Sequence, residues 1–358
     1  MARVLLENLN YSYDKQRYVL RDVTIDMEQE GRYSLLGPSG CGKTTLLKII
    51  AGVLDDYEGE VYFNGKDMRG VPIEKRDIAM VFQSPVVYPM SVHDNLMFPL
   101  RRERLTKKES EKRINYVADM LDLTDVLDAQ AHKLSPADEQ TVALARSLIK
   151  DASIILLDEP LTSIETEKRV DVREKISRIQ EEQEKIFIYV THDQTEALTL
   201  SDKIGVMRDG RLLQFGTNED IYYRPEHTFV GYFMGSPGMN ILSGRVEGNT
   251  VDLEDFTLKL PAEYHGKVNE GAKVNVGVRP EFPVVSKEQK PDTVKFHCKD
   301  VQEKGEGVSI LHVASVGGKQ ELRLSGNFRG IMAEHDIFVQ FPEDRLHIYD
   351  PEDGTIIT

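Results

Sequence analysis

The run Gly37-Pro38-Ser39-Gly40-Cys41-Gly42-Lys43-Thr44-Thr45 constrains this chain more than any other segment. Ahead of it, Tyr33 to Leu36 reads as a short apolar strand; behind it, Thr45 to Ala51 reads as a helix stopped by Gly52. A strand, a glycine-rich turn and a helix opening on Lys-Thr form the phosphate-binding pattern G-x-x-x-x-G-K-[ST]. The glycines let the backbone wrap a polyphosphate and turn its N–H groups inward, and the helix N-terminus adds its dipole. Lys43 is expected to reach the β- and γ-phosphates of a bound nucleotide, with the Thr44 hydroxyl on Mg2+.

A second motif completes that chemistry. Ser153 to Leu157 and Ile186 to Val190 are nearly continuous apolar runs, which suit strands buried on both faces of a mainly parallel sheet. Asp158 and Glu159 emerge at the C-terminal end of the first run, where ligands sit in open α/β sheets. Asp158 is read as a holder of the metal shell and Glu159 as the group that polarises the attacking water. His192 follows the second run, within reach of a γ-phosphate. Gln83, in Val81-Phe82-Gln83, ends another strand and is placed for the metal or the water.

With 358 residues the chain is long enough for about two domains. Up to Gly235 strand-like and helix-like segments alternate, with helical spacing at Ile114, Val117, Ala118 and Leu121 and again at Val172, Ile176 and Ile179. Residues 91–148 read as a helical subdomain. Beyond Gly235, the turns Gly248-Asn249, Gly305-Glu306-Gly307 and Gly317-Gly318 separate short β-like runs, which suggests a small all-β domain. The expected division is therefore 1–235 and 236–358. A net charge of −15 argues against nucleic acid as a partner. The two cysteines, Cys41 and Cys298, make no disulfide framework and suit a reducing cytosol. The N-terminus does not read as a signal peptide, and no apolar stretch approaches the ~20 residues of a membrane span, so a membrane role is expected through a partner.

In order, these motifs resemble the ATP-binding subunit of ABC transporters: Walker A from Gly37 to Thr44, Q-loop Gln83, a signature region at Leu134-Ser135, Walker B from Ile154 to Asp158, Glu159, and switch His192. The resemblance implies that Tyr13 stacks on adenine. Further segments, Gly210 to Thr217, Phe233-Met234-Gly235-Ser236-Pro237-Gly238-Met239-Asn240, Gly277-Val278-Arg279-Pro280-Glu281 and His347 to Pro351, resemble the carbohydrate-importer branch of that family, of maltose, glycerol-phosphate and glycerol type. The resemblance implies an α/β P-loop ABC ATPase domain followed by an OB-like regulatory domain. It also implies an ATP-hydrolysing, energy-coupling subunit of a bacterial importer for a carbohydrate or polyol, with glycerol favoured. Such a subunit sits in the cytoplasm, peripheral on the inner face of the membrane, paired with a second ATPase below two permease subunits and served by a solute-binding protein. Two alternatives stand beside it: an ATP-binding regulatory subunit with little turnover, and a soluble ABC ATPase outside transport.

The chain departs from the family at the signature. Leu-Ser-Gly-Gly-Gln is replaced by Leu134-Ser135-Pro136-Ala137-Asp138, a loop that in the family faces the γ-phosphate held by the other subunit. Pro136 has no N–H, Ala137 adds a methyl group, and Asp138 brings a carboxylate toward an anion. Locally, Ser135 reads as a helix N-cap, Pro136 as its first residue and Asp138 as a capping-box acid. Thr141 stands where the family carries Arg, and Glu165 where it carries Asp. A pair with a paralogue is therefore favoured over a pair with itself. In the family the segment after the Q-loop receives the permease. Here that is Ser84 to Leu100, with Tyr88, Met90, Val92 and Met97 as apolar candidates.

Overall fold

The computed structural model describes residues 3–28, 30–305 and 307–358, without the side chains of Thr166 and Lys168. Glu306, in the middle of one expected hairpin turn, lies outside the described residues. The chain begins with β1 (Val4–Tyr11), β2 (Leu20–Met27), β3 (Gly31–Leu36), α1 (Lys43–Ala51), β4 (Glu58–Phe63), β5 (Lys66–Asp67) and β6 (Ile78–Val81). Helices α2 (Val92–Leu100), α3 (Lys107–Met120) and α4 (Pro136–Leu148) follow, filling the stretch 91–148. Then come β7 (Ile154–Asp158), α5 (Thr166–Glu181), β8 (Ile186–Thr191), α6 (Gln194–Leu200), β9 (Lys203–Arg208) and β10 (Arg211–Thr217).

Two sheets carry this unit. One is antiparallel, in the order β2-β1-β4-β5. The other runs β10-β9-β3-β8-β7-β6, with β9, β3, β8, β7 and β6 parallel and β10 antiparallel at one edge. The continuous apolar runs are explained by burial on both faces. Ile154 and Leu156 of β7 and Ile186, Ile188 and Val190 of β8 face the core shared with α1 and the antiparallel sheet. Ile155, Leu157, Phe187 and Tyr189, one residue out of phase, face the core of the helical subdomain and α5. Each such side chain contributes about 1.5–3 kcal/mol. Because β3, β6, β7 and β8 are parallel, the loops leaving their C-terminal ends gather at one edge.

The chain divides into two compact units between Asn218 and Glu219, ahead of the boundary at 235/236 read from the change of texture. The stretch in between is helical, α7 (Asn218–Tyr223) and α8 (Thr228–Phe233), which is why it reads with the preceding α/β pattern. The second unit continues with β11 (Asn240–Glu247), β12 (Thr250–Asp252), β13 (Thr257–Lys259), β14 (Lys273–Val278), β15 (Val284–Ser286), β16 (Val294–Gly305), β17 (Val308–Ser315), β18 (Glu321–Gly326), β19 (Asp336–Gln340) and β20 (Leu346–Tyr349). They form two five-stranded sheets, β13-β12-β11-β14-β20 and β15-β19-β16-β17-β18, around one apolar core.

Arg279, at the end of β14, is 1% exposed. Its Nε donates to the Tyr222 carbonyl at 2.9 Å, and its Nη1 donates to the carbonyls of Gly231, at 2.9 Å, and Met234. The guanidinium lies 4.0 Å from the Tyr222 ring centre. One side chain thus ties α7 and α8 to the end of β14, and burial draws the guanidinium below its ordinary range. Arg279→Ala removes three bonds to backbone carbonyls and the contact with the Tyr222 ring, and is expected to destabilise the second unit by about 3 kcal/mol. Arg279→Lys is expected to rescue little, since one ammonium cannot reproduce the fork. Thermal denaturation of the full chain, followed by proteolysis at α7 and α8, measures both.

Candidate functional site

The loop between β3 and α1 is shaped by close approach. A β-carbon at Gly37 would stand 2.2 Å from the Met207 carbonyl oxygen, and Gly42 caps α1 at φ 107, a left-handed conformation. Lys43 is 4% exposed, and its Nζ donates to the carbonyls of Gly37 at 2.7 Å and Pro38 at 3.0 Å. The ammonium is thus held inside the turn formed by Gly37, Pro38, Ser39, Gly40, Cys41 and Gly42. Burial pushes the Cys41 thiol up, so its sulfur packs as a neutral group. The Tyr13 ring is 59% exposed, and its hydroxyl lies 3.2 Å from the Thr45 hydroxyl, which sets an open aromatic face beside the loop.

Thr44 and Asp158 meet where β7 ends. The Thr44 hydroxyl donates to Asp158 Oδ1 at 2.9 Å. Asp158 is 1% exposed, and its carboxyl is pushed above the usual range, chiefly by burial, with the Thr44 hydrogen bond opposing. A buried carboxylate and a hydroxyl in contact are hard oxygen donors that fit Mg2+, an ion held by one or two protein oxygens plus substrate phosphates rather than by a full protein cage. Among the described residues no group of three or more His, Cys, Asp or Glu forms such a cage.

Glu159 follows Asp158 with a left-handed backbone, φ 46, and its N–H donates to the Val190 carbonyl at 2.9 Å. That turn sends its side chain back over the sheet edge. Glu159 Oε2 accepts from Gln83 Nε2 at 3.3 Å and from the Thr162 hydroxyl at 3.2 Å, and lies 3.3 Å from His192 Nδ1. His192 is placed by a buried network behind it. Glu196 accepts from the hydroxyls of Tyr189 at 3.1 Å and Thr191 at 2.6 Å, and Asp193 caps α6. Gln83, 76 residues ahead of Glu159, and His192 thus converge on its carboxylate. Thr162 was not singled out by the sequence; its only signal is a hydroxyl three residues after the acid.

Ser135 to Asp138 stand apart from this cluster, at the start of α4. The Ser135 hydroxyl donates to Asp138 Oδ2 at 2.7 Å and accepts from the Asp138 N–H at 3.2 Å. Asp138 therefore takes the hydroxyl proton, whereas a capping-box acid takes the N-cap backbone N–H. Pro136 is the first helical residue, and Thr141 donates to the Ala137 carbonyl at 3.0 Å.

A groove of about 920 Å³ is lined by Ile73 to Met80, ahead of Gln83, together with Tyr88, Phe98, Pro99, Arg102 and Arg146. Asn95, fully buried, fixes it: its amide bonds the Tyr88 N–H at 2.9 Å and the Tyr88 and Ser91 carbonyls at 3.1 and 3.0 Å. The Arg146 guanidinium sits 4.8 Å from the Tyr88 ring centre. Of the four apolar candidates, Tyr88 lines the groove. Val92 is fully buried and Met97 packs against the subdomain core, because α2 turns those positions inward and presents Phe98 outward. Met90 is not among the groove's lining residues.

The family model for ABC transporters matches residues 20–162, and the model for the MalK OB-fold domain matches residues 235–282. The xylose/arabinose import ATP-binding protein XacK of Haloferax volcanii is 34% identical over 364 residues, covering 99% of this chain and 95% of the relative. The oligosaccharides import ATP-binding protein MsmX of Bacillus subtilis is 37% identical over 286 residues, 78% of each chain. YcjV of Escherichia coli K12, a putative uncharacterized ABC transporter ATP-binding protein, is 32% identical over 98% of both. The dimeric post-hydrolysis structure of the ATP-binding cassette MJ0796 bound to ADP and Pi shares 27% identity at a TM-score of 0.54, covering 60% of this chain and 98% of that one. Among the described residues no helix is long and apolar enough to cross a membrane. The chain belongs to the ABC transporter ATP-binding proteins, ATPases that bind ATP with Mg2+, and carries a MalK-type OB-fold domain behind its ATPase domain.

Proposed function

We propose that this chain is the energy-coupling ATPase of an importer for a carbohydrate or polyol, working in an asymmetric pair with a second ATPase subunit. The observation that carries the reading is the convergence of Gln83, Thr162 and His192 on Glu159 beside the Thr44–Asp158 pair. In this reading the loop N–H groups and Lys43 bind the β- and γ-phosphates, and Tyr13 stacks on adenine. Thr44 and Asp158 hold Mg2+, which supplies charge neutralisation on the transferring phosphoryl group. Glu159 takes the proton of the attacking water, while Gln83 and His192 orient the water and the γ-phosphate.

The solute class is supported by XacK and MsmX, named for xylose/arabinose and oligosaccharide import, and by the shared OB-fold domain. Glycerol is favoured over a sugar or glycerol phosphate because the replaced signature resembles that of paired ATPases of glycerol importers. The self-capped Ser135–Asp138 turn supports pairing with a paralogue, which brings an ordinary signature to this chain's nucleotide. It also favours a second reading, a nucleotide-binding regulatory subunit with little turnover. Two permease subunits bind the groove at Tyr88 and Phe98, which holds the chain on the inner face of the membrane; a solute-binding protein acts through them.

The groove gives the test. Phe98 is 43% exposed in a groove otherwise rich in charged side chains, and Phe98→Glu removes its exposed ring and adds a charge there. It is expected to weaken permease binding by about 2 kcal/mol, roughly thirtyfold. Uptake in cells and co-purification with the permeases should fall together. Retention of both would remove the groove from the coupling path.

A further inference from the structure

We propose that Thr162 is a positioning residue that keeps the Glu159 carboxylate oriented through the hydrolytic step. The inference rests on reading Glu159 as the proton acceptor. Three groups surround Glu159 Oε2, and they differ in where they come from. Gln83 follows β6 and His192 follows β8, so each reaches the carboxylate from another part of the fold, and His192 is 52% exposed. Thr162 belongs to the acid's own turn. Its N–H donates to the Glu159 carbonyl at 3.3 Å while its hydroxyl donates to Oε2 at 3.2 Å.

That turn is braced from both sides. Leu161 and Ile164 are anchored in the core at 0% and 4% exposure. From α5, Arg169 donates through Nε to the Ile164 carbonyl at 2.8 Å and through Nη2 to the Thr162 carbonyl at 3.3 Å. The left-handed Glu159 backbone is a strained conformation for a residue with a side chain, and it persists only where its surroundings fix it. Gln83 and His192 are also the side chains assigned to water and γ-phosphate. Whenever they serve there, the Thr162 hydroxyl is the donor that stays with the carboxylate. Orientation of a base to within a fraction of an ångström is worth orders of magnitude in rate, so its loss appears in kcat rather than in ATP affinity.

The test uses the full chain in the assembled transporter and measures the part of ATP hydrolysis that Glu159→Gln removes. Thr162→Val keeps the branched shape and removes the hydroxyl; Thr162→Ala removes it with less bulk, and Thr162→Ser restores it. The valine and alanine variants are expected to lose about tenfold in kcat with KM for ATP unchanged within about twofold, and the serine variant to stay within about threefold of wild type. ATP titration of each variant reports that the fold is intact. Should Glu159→Gln abolish hydrolysis while valine and alanine keep wild-type kcat, the positioning role fails and the base stands. Equal losses in valine, alanine and serine, or a loss carried by KM, overturn it as well. If Glu159→Gln removes none of the hydrolysis, the base itself fails.

Discussion

Glu159→Gln is expected to lower ATP hydrolysis by this subunit at least about a hundredfold, the scale set by one general base, while ATP affinity stays within about twofold. The replacement keeps the length and planarity of the side chain and removes its capacity to take a proton. It also meets a crowded acceptor site. Oε2 lies against the Gln83 amide and the Thr162 hydroxyl, so the new amide must turn its oxygen toward them and its NH2 away. Binding is set elsewhere, by the Gly37–Gly42 turn, Lys43 and the Thr44–Asp158 contact, which the substitution leaves alone. Phosphate release and equilibrium nucleotide binding, measured on the same preparation, separate the two effects. Hydrolysis above about a tenth of wild type would take Glu159 out of the base role. Unchanged solute uptake would favour the regulatory reading, because transport would then run on the partner's site.

Much of this site was legible because its parts are local in sequence. The glycine turn between strand and helix, and an acid pair at the end of a buried strand, each carry their chemistry within ten residues. The two-faced burial of β7 and β8 was legible for the same reason, since an unbroken apolar run has no polar face to give to solvent. What escaped depends on long-range contact. Asn95 reads as an ordinary polar residue of α2 until the chain between Tyr88 and Ser91 folds over it. Phe98 and Met97 differ by one residue, a 100° rotation on a helix, and only the packed subdomain decides which of them faces out. Arg279 enters the sequence only as part of a family-like segment, and its burial depends on the carbonyls of Tyr222 in α7 and of Gly231 and Met234 at α8, which converge on it. Thr162 is hidden for a different reason: hydroxyls are common in turns, and only the carboxylate that the left-handed Glu159 backbone brings beside it gives this one a role.

Restoring the family signature, Pro136→Gly with Ala137→Gly and Asp138→Gln, is expected to raise ATP hydrolysis by the purified chain without a partner at least about tenfold. In the proposed pair the helix that opens at Pro136 faces the partner's nucleotide, and three features of it work against a phosphate. Proline removes one N–H donor, and a hydrogen bond to a charged group is worth about 1.5–3 kcal/mol. A carboxylate about 5 Å from a phosphate charge adds roughly 3 kcal/mol of repulsion at an effective dielectric near 20. The Ser135 hydroxyl, the one family group left, gives its proton to Asp138 at 2.7 Å and accepts from the Asp138 N–H. The serine is thus occupied within its own turn and offers a partner's nucleotide little. Glutamine at 138 removes the charge while glycine at 136 restores an N–H, so the three changes act as a unit and their effects should exceed the sum of the single substitutions. In a Glu159→Gln background the same replacement should increase the ATP-dependent dimer seen by size-exclusion chromatography, because closure then no longer meets the carboxylate. If the unmodified chain alone already hydrolyses ATP as fast as the restored one, the turn at Ser135 is no obstacle and pairing with a paralogue loses its physical reason. If the restored chain gains dimer but no rate, the obstacle lies in communication between the sites, where Glu165 replaces the family's shorter acid.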